Sequence, residues 1–260
     1  MRFGLFSKLI LAFIILVTLS IFLPISEIAN TDALLASATF LYGVLYGFEI
    51  SIVLGNFSQL KSLLATENAG LASIFHLSQL IGGQFAKQVE DKIEKYLRKA
   101  IDVPLSNHLV DTNKEFFEIF APLKTVKVDG DEQTAALNYI NEGLYYIPQS
   151  RTQIAQVAPR DVDPPEWAML LILAFILVAT LLLGRESNLV SQLSAAIFAT
   201  TVIGSLLLLD EVDSNRIQEA RLEFDVFNET LVAIGKEKYY PEEVLKSGII
   251  KLSTRTTRAC

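Results

Sequence analysis

Apolar residues gather in four blocks along this chain, and the stretches between them are as charged as a soluble domain. A bilayer-spanning helix needs about 20 mostly apolar residues, because lipid offers no partner to backbone N–H and C=O groups. The first block runs from about Leu9 to Ile25, and the second from about Ala33 to Phe57 with Glu49 its only charge. The third follows Pro164-Pro165-Glu166-Trp167 and runs to about Gly184; the fourth runs from about Leu189 to Leu209 and stops at Asp210-Glu211. The blocks predict four transmembrane helices. Arg2 and Lys8 ahead of an apolar run also suit a secretory signal, with Ala36-Ser37-Ala38 as the cleavage site. That site lies inside the second block, so the first block is read as an uncleaved anchor.

Between the blocks the periodicity is helical. Phe85, Val89, Ile93, Leu97 and Ile101 recur every four residues and mark one buried face. Ser58 to Ile81 reads as a continuation of the second block. Asp111 to Leu123 reads as a helix carrying Phe116, Phe117 and Phe120, ended by Pro122. Gly130-Asp131 opens a last helix to about Ile154, with a kink expected at Pro148. After the fourth block, Ile217, Ala220, Phe224, Phe227 and Leu231 form another stripe, ended by Gly235, and a short helix is expected from Pro241. Ser253 to Cys260 reads as a tail. The fold class is therefore an all-α membrane protein, divided as 1–57 (helices 1 and 2), 58–163 (helical domain), 164–209 (helices 3 and 4) and 210–260 (helical tail).

Basic residues orient the blocks. Every lysine and arginine except Arg185 falls before the first block, between the second and third, or after the fourth. Both termini and the 58–163 domain are thus expected in the cytoplasm, of a bacterial-type plasma membrane or an equivalent internal membrane. The sequons at Asn56 and Asn228 then face the wrong side for glycosylation.

Composition narrows the chemistry. Of 260 residues, 51% are apolar, and the net charge is −7 with both signs interspersed, which is no nucleic-acid footprint. Cys260 is the single cysteine, so disulfides and cysteine-based zinc sites are excluded, and with only His76 and His108 so is a histidine-rich metal site. No P-loop, G-x-G-x-x-G, H-E-x-x-H or G-x-S-x-G occurs. His76 beside Glu67 and Ser73 reads as a solvated helix face. Neither an enzyme nor a cofactor is expected.

The second block carries the most information. Thr39, Gly43, Gly47, Ser51 and Gly55 lie four apart, a small-xxx-small stripe that lets another helix approach closely. Tyr42, Tyr46, Glu49 and Asn56 lie on a different face. A carboxyl group in the bilayer costs a few kcal/mol or more unless it meets a partner or water. Either Glu49 and its tyrosines line a water-filled path, or Glu49 is hydrogen-bonded within the bundle and conducts nothing. Ser194, Thr200, Thr201, Gly204 and Ser205 of the fourth block read as packing residues. Asp210, Glu211 and Asp213 crowd its end, where Asp213-Ser214-Asn215 reads as the cap of the next helix, with an acidic vestibule as the alternative.

Four sequence elements resemble the bestrophin-like domain family of four-helix membrane proteins. They are Glu67-Asn68-Ala69-Gly70-Leu71-Ala72-Ser73-Ile74-Phe75, Lys95-Tyr96-Leu97-Arg98-Lys99-Ala100-Ile101, Arg151 followed by Pro165-Glu166-Trp167, and the ending Leu209-Asp210. Glu67, Arg151, Trp167 and Asp210 are the residues that carry the likeness. The chain departs from the pattern with His76 where arginine is frequent, and with Glu211-Val212 in place of Pro-Phe. The resemblance implies kinship to bestrophins, pentameric anion channels with the same helix count, although Glu49, Glu27 and Asp32 favour cations. The leading expectation is an oligomeric ion channel, a homo-oligomer for which the resemblance suggests a pentamer, with the second block lining the path. The alternative is a non-catalytic membrane subunit or scaffold, docking a partner complex through Phe116-Phe117-Phe120 and the Ile217–Leu231 stripe, both of which core packing also explains.

Overall fold

The computed structural model describes residues 2–22, 31–158, 162–213 and 216–242. It is 86% helical, with no strand among the described residues. The helices are α1 (Arg2–Phe22), α2 (Thr31–Ile81), α3 (Gly83–Ile101), α4 (His108–Asp111), α5 (Asn113–Glu118), α6 (Asp131–Val157), α7 (Pro164–Leu183), α8 (Leu189–Asp213) and α9 (Arg216–Ala233). Three of them, α2, α7 and α8, are long and apolar enough to cross a membrane, and α1 holds a shorter apolar stretch, Ser7–Phe22. Glu27, Ser214-Asn215 and the tail from 243 to Cys260 lie outside the described residues, as do the side chains of Ile217 and Ala220.

The chain forms two compact units, residues 1–55 with 161–214 and residues 56–160 with 215–260. α2 contributes to both. In the first unit α1 and α7 each pack on α8. Small residues permit this: Ala196 and Ala199 are buried against Leu16 and Leu182, and a Cβ on Gly204 would come within 2.9 Å of Leu9 Cδ2. On the other side, Ala38, Tyr42 and Val53 of α2 join Leu170, Ala174 and Leu177 of α7. α7 starts where Pro164 and Pro165 fill its first positions and the Asp163 N–H donates to the Glu166 carboxylate at 3.2 Å. In the turn after α7, Arg185 is buried and donates from Nε to the Ser20 carbonyl at 2.6 Å and from its guanidinium to the Leu182 carbonyl.

In the second unit the four-residue spacing of α3 translates into a buried row, Phe85, Val89, Ile93, Leu97 and Ile101. It packs with Leu64, Leu71, Ile140, Phe227 and Leu231. α6 continues through Pro148 to Val157 as a single helix. The expected helix Asp111–Leu123 is instead broken into α4, α5 and a 3-10 turn, Ala121–Lys124. Within it the Thr112 hydroxyl bonds back to the His108 carbonyl, a local bond that competes with the regular helix. Phe116 and Phe120 go into the core, while Phe117 stays exposed. α9 ends before Gly235, whose φ of 80° lets Lys236 N–H reach back to the Leu231 carbonyl at 2.8 Å.

Candidate functional site

The two faces of α2 in the first unit separate cleanly. Tyr42 and Glu49 turn inward and are buried, with Tyr46 partly buried; Asn56, the first residue of the second unit, is partly buried too. The Tyr42 hydroxyl pairs with Ser205 Oγ of α8 at 2.7 Å, and its ring stacks on Tyr46 at 5.9 Å between centroids. Glu49, 2% exposed, faces Glu166, with Asp163 and Asp213 beyond; the charged side chains acting on it are all acidic. Glu49 is therefore level with the first turn of α7 and not with the middle of that apolar helix. Asp213 is held by the backbone N–H of Val162 at 2.8 Å and by Trp167 Nε1 at 3.0 Å. It thus anchors the entry to α7, a role that its position ahead of α9 does not suggest.

The opposite face of α2 is open. Gly43, Gly47, Ser51 and Gly55 are exposed, and a Cβ added at any of these three glycines would meet nothing within 4 Å. The stripe expected to pack against another helix meets none within its own unit. In the second unit, the exposed residues of α2 include Ser58, Ser62, Ala65, Ala69 and Ser73, again small.

The second unit holds a buried polar cluster with one member from each of four helices. Glu67 comes from α2, Tyr96 from α3, His108 from α4 and Arg151 from α6, each at most 1% exposed. The Tyr96 hydroxyl donates to Glu67. His108 Nε2 lies 3.3 Å from each Glu67 oxygen and 3.1 Å from the Tyr96 oxygen. Since the one phenolic proton goes to Glu67, the geometry assigns a proton to Nε2 of His108 as the other donor. Arg151 donates from Nη2 to Thr112 Oγ1 at 2.8 Å and to the Leu109 carbonyl at 3.4 Å, with its guanidinium 4.1 Å from the Phe116 ring centre. Its Nε is 3.9 Å from Glu67. Burial, and then the Glu67 charge, hold the Tyr96 phenol well above the usual tyrosine range. His108 Nδ1 and Arg151 Nε have no hydrogen-bond partner among the described residues. With every member sealed from solvent, the cluster is a clasp joining four helices.

These positions meet the family comparison directly. The model of the bestrophin-like domain matches residues 27–214, most of the chain. The chain belongs to the bestrophin-like family. No curated protein and no solved structure matches it. Glu67, Tyr96 and Arg151, which occupy separate sequence elements of the bestrophin-like resemblance, come together in the clasp. Trp167 and Asp210 lie in the first unit, Trp167 on Asp213 and Asp210 near the end of α8. The residue that sequence reasoning missed is His108. His76, which lies nearer Glu67 in sequence, is exposed, and nothing in local spacing marks His108 as the partner, 41 positions away.

Among the described residues no group of three or more His, Cys, Asp or Glu could hold a metal ion.

Proposed function

We propose that this bestrophin-like membrane protein assembles as a homo-oligomer around an ion path lined by α2, with both termini and the second unit in the cytoplasm. The observation that carries the reading is the open face of α2. A helix facing lipid loses dispersion contacts where its side chains are glycine or serine. Gly43, Gly47, Ser51 and Gly55 leave room either for close approach of a second copy or for water and ions, and Ser51 supplies a hydroxyl. Glu49 lies on the buried, opposite face of α2, and together with Asp163, Glu166 and Asp213 it acts on that path through space, as an acidic group near one end. The path is therefore proposed to prefer cations. The scaffold reading draws less support, because Phe116 and Phe120 of its docking cluster are core residues.

The test uses the solitary Cys260. In a Cys260→Ser background, Ser51→Cys is reconstituted in liposomes and treated with a cationic, membrane-impermeant thiol reagent. Cation flux should fall on modification, and Glu49→Gln should shift the reversal potential toward zero selectivity. A monomer by native mass spectrometry, or flux absent from the unmodified protein, would refute the reading.

A further inference from the structure

Among the described residues of the first unit, Glu49 is the only buried carboxyl, 2% exposed. The elements packed around it present acids. α7 brings Glu166 and, just ahead of its first turn, Asp163, while α8 brings Asp213. On α2 itself the nearest titratable groups are Tyr46 and, beyond it, Tyr42 stacked on Tyr46. Among the described residues no cation and no N–H group partners the Glu49 carboxyl, and its side-chain hydrogen bond is made with Glu166. An ionised carboxyl only accepts hydrogen bonds, so two carboxylates cannot bond to each other. One of these two carboxyls therefore carries a proton.

The neighbouring N–H groups decide which one. Asp213 accepts from Val162 N–H on Oδ1 at 2.8 Å and from Trp167 Nε1–H on Oδ2 at 3.0 Å. Glu166 accepts from Asp163 N–H on Oε2 at 3.2 Å. Both are placed as acceptors, which suits the ionised form. Glu49 accepts from none of these donors, and a buried charge without a partner costs far more than a neutral acid. An O–H group on Glu49 facing the Glu166 carboxylate also makes a charge-assisted bond, stronger than one between neutral groups. We propose that Glu49 and Glu166 form a proton-binding site, with Glu49 the donor and Glu166 the acceptor, and that this proton sets the charge standing beside the ion path. With the proton bound the pair carries one negative charge; once the proton passes to water it carries two. Raising the pH therefore strengthens the acidic field on the path. Glutamine mimics the protonated acid, so the reversal-potential shift of Glu49→Gln belongs to the pH range in which the proton is off. The effect on ions rests on the path proposed above, whereas the proton itself does not.

The experiment is infrared difference spectroscopy of the full-length protein in lipid, titrated with pH. Above about pH 6, where ordinary carboxyls are ionised, the wild type should keep a carboxylic-acid C=O absorption. Glu49→Gln should remove it, and the amide N–H of glutamine can still donate to Glu166, which protects the fold. Glu166→Gln should shift its frequency, because the acid then donates to a neutral amide in place of a carboxylate. No such absorption in the wild type, an absorption that survives Glu49→Gln, or one that Glu166→Gln leaves unmoved overturns the site. An absorption that follows both residues in a protein that passes no ions upholds the proton site and refutes only the path. Where ions do pass, the cation preference should rise across the pH at which the absorption disappears and stay flat in Glu49→Gln. A wild-type preference that does not change across that pH overturns the link between the proton and the path.

Discussion

Replacing Arg151 with methionine keeps most of the apolar stem and removes the charge that sits 3.9 Å from Glu67. It also removes the donors to Thr112 Oγ1 and the Leu109 carbonyl. Glu67 is fully buried, so no water replaces the lost cation. Breaking a buried pair by deleting one partner costs about 3–5 kcal/mol, a figure that already includes the hydrogen bonds to the charged group. That is a large share of the roughly 5–15 kcal/mol by which a domain is stable. For a chain of this length, about 2–4 °C per kcal/mol, the melting temperature should fall by roughly 6–20 °C. The assay is thermal unfolding in mild detergent, followed by circular dichroism, on wild type, Arg151→Met, Glu67→Gln and the double variant. In the Glu67→Gln background no carboxylate is left without its cation, and the Arg151→Met penalty should shrink by about 2 kcal/mol or more. Equal penalties in the two backgrounds, within about 0.5 kcal/mol, would show that Arg151 acts through Thr112, the Leu109 carbonyl and Phe116 and not through Glu67.

Lys236 bonds Glu90 at 2.8 Å and Glu94 at 2.7 Å, and it holds both carboxyls below their usual range. A depressed acid contributes stability above its unfolded value, near pH 4.5 here, and loses it as pH falls through the folded value. Lys236→Met should therefore cost about 1 kcal/mol at pH 7, after discounting for solvent screening, and progressively less below pH 4.5 in urea titrations. Trp167→Phe removes the 3.0 Å bond to Asp213 and should destabilise the protein by about 1.5–3 kcal/mol. Asp213→Ala removes the acceptor of the indole N–H of Trp167, the sole tryptophan, and should change its emission maximum; a spectrum identical to wild type would show that this bond does not set the indole's surroundings.

Periodicity made the long elements legible. The row from Phe85 to Ile101 specified which side of α3 is buried, and the unbroken helical pattern from Ala33 to Ile81 indicated that α2 runs on without a turn. Region 102–125 was less legible, because Thr112 offers its backbone a competing bond and three phenylalanines in five residues look alike until packing buries Phe116 and Phe120 and leaves Phe117 outside. The clasp was visible only in pieces. Glu67, Tyr96 and Arg151 each stood out within a motif, yet no local spacing tells which polar residues on four different helices will share one dry interior. The faces of α2 were separable by spacing alone. Which of them the chain covers with its own helices was not, since small residues suit both a close neighbour and an open path.

The level of Glu49 has an electrical consequence. In the proposed orientation the side chain stands at the inner edge of the insulating layer, beside the first turn of α7. One elementary charge carried through the whole transmembrane field changes energy by about 2.3 kcal/mol per 100 mV, but a charge at the edge samples only a small fraction of that drop. Ions drawn to Glu49 are therefore concentrated almost equally at either polarity. With identical salt on the two sides, where selectivity moves no reversal potential, Glu49→Gln should scale inward and outward currents by a common factor and leave the current–voltage curve no more rectifying than before.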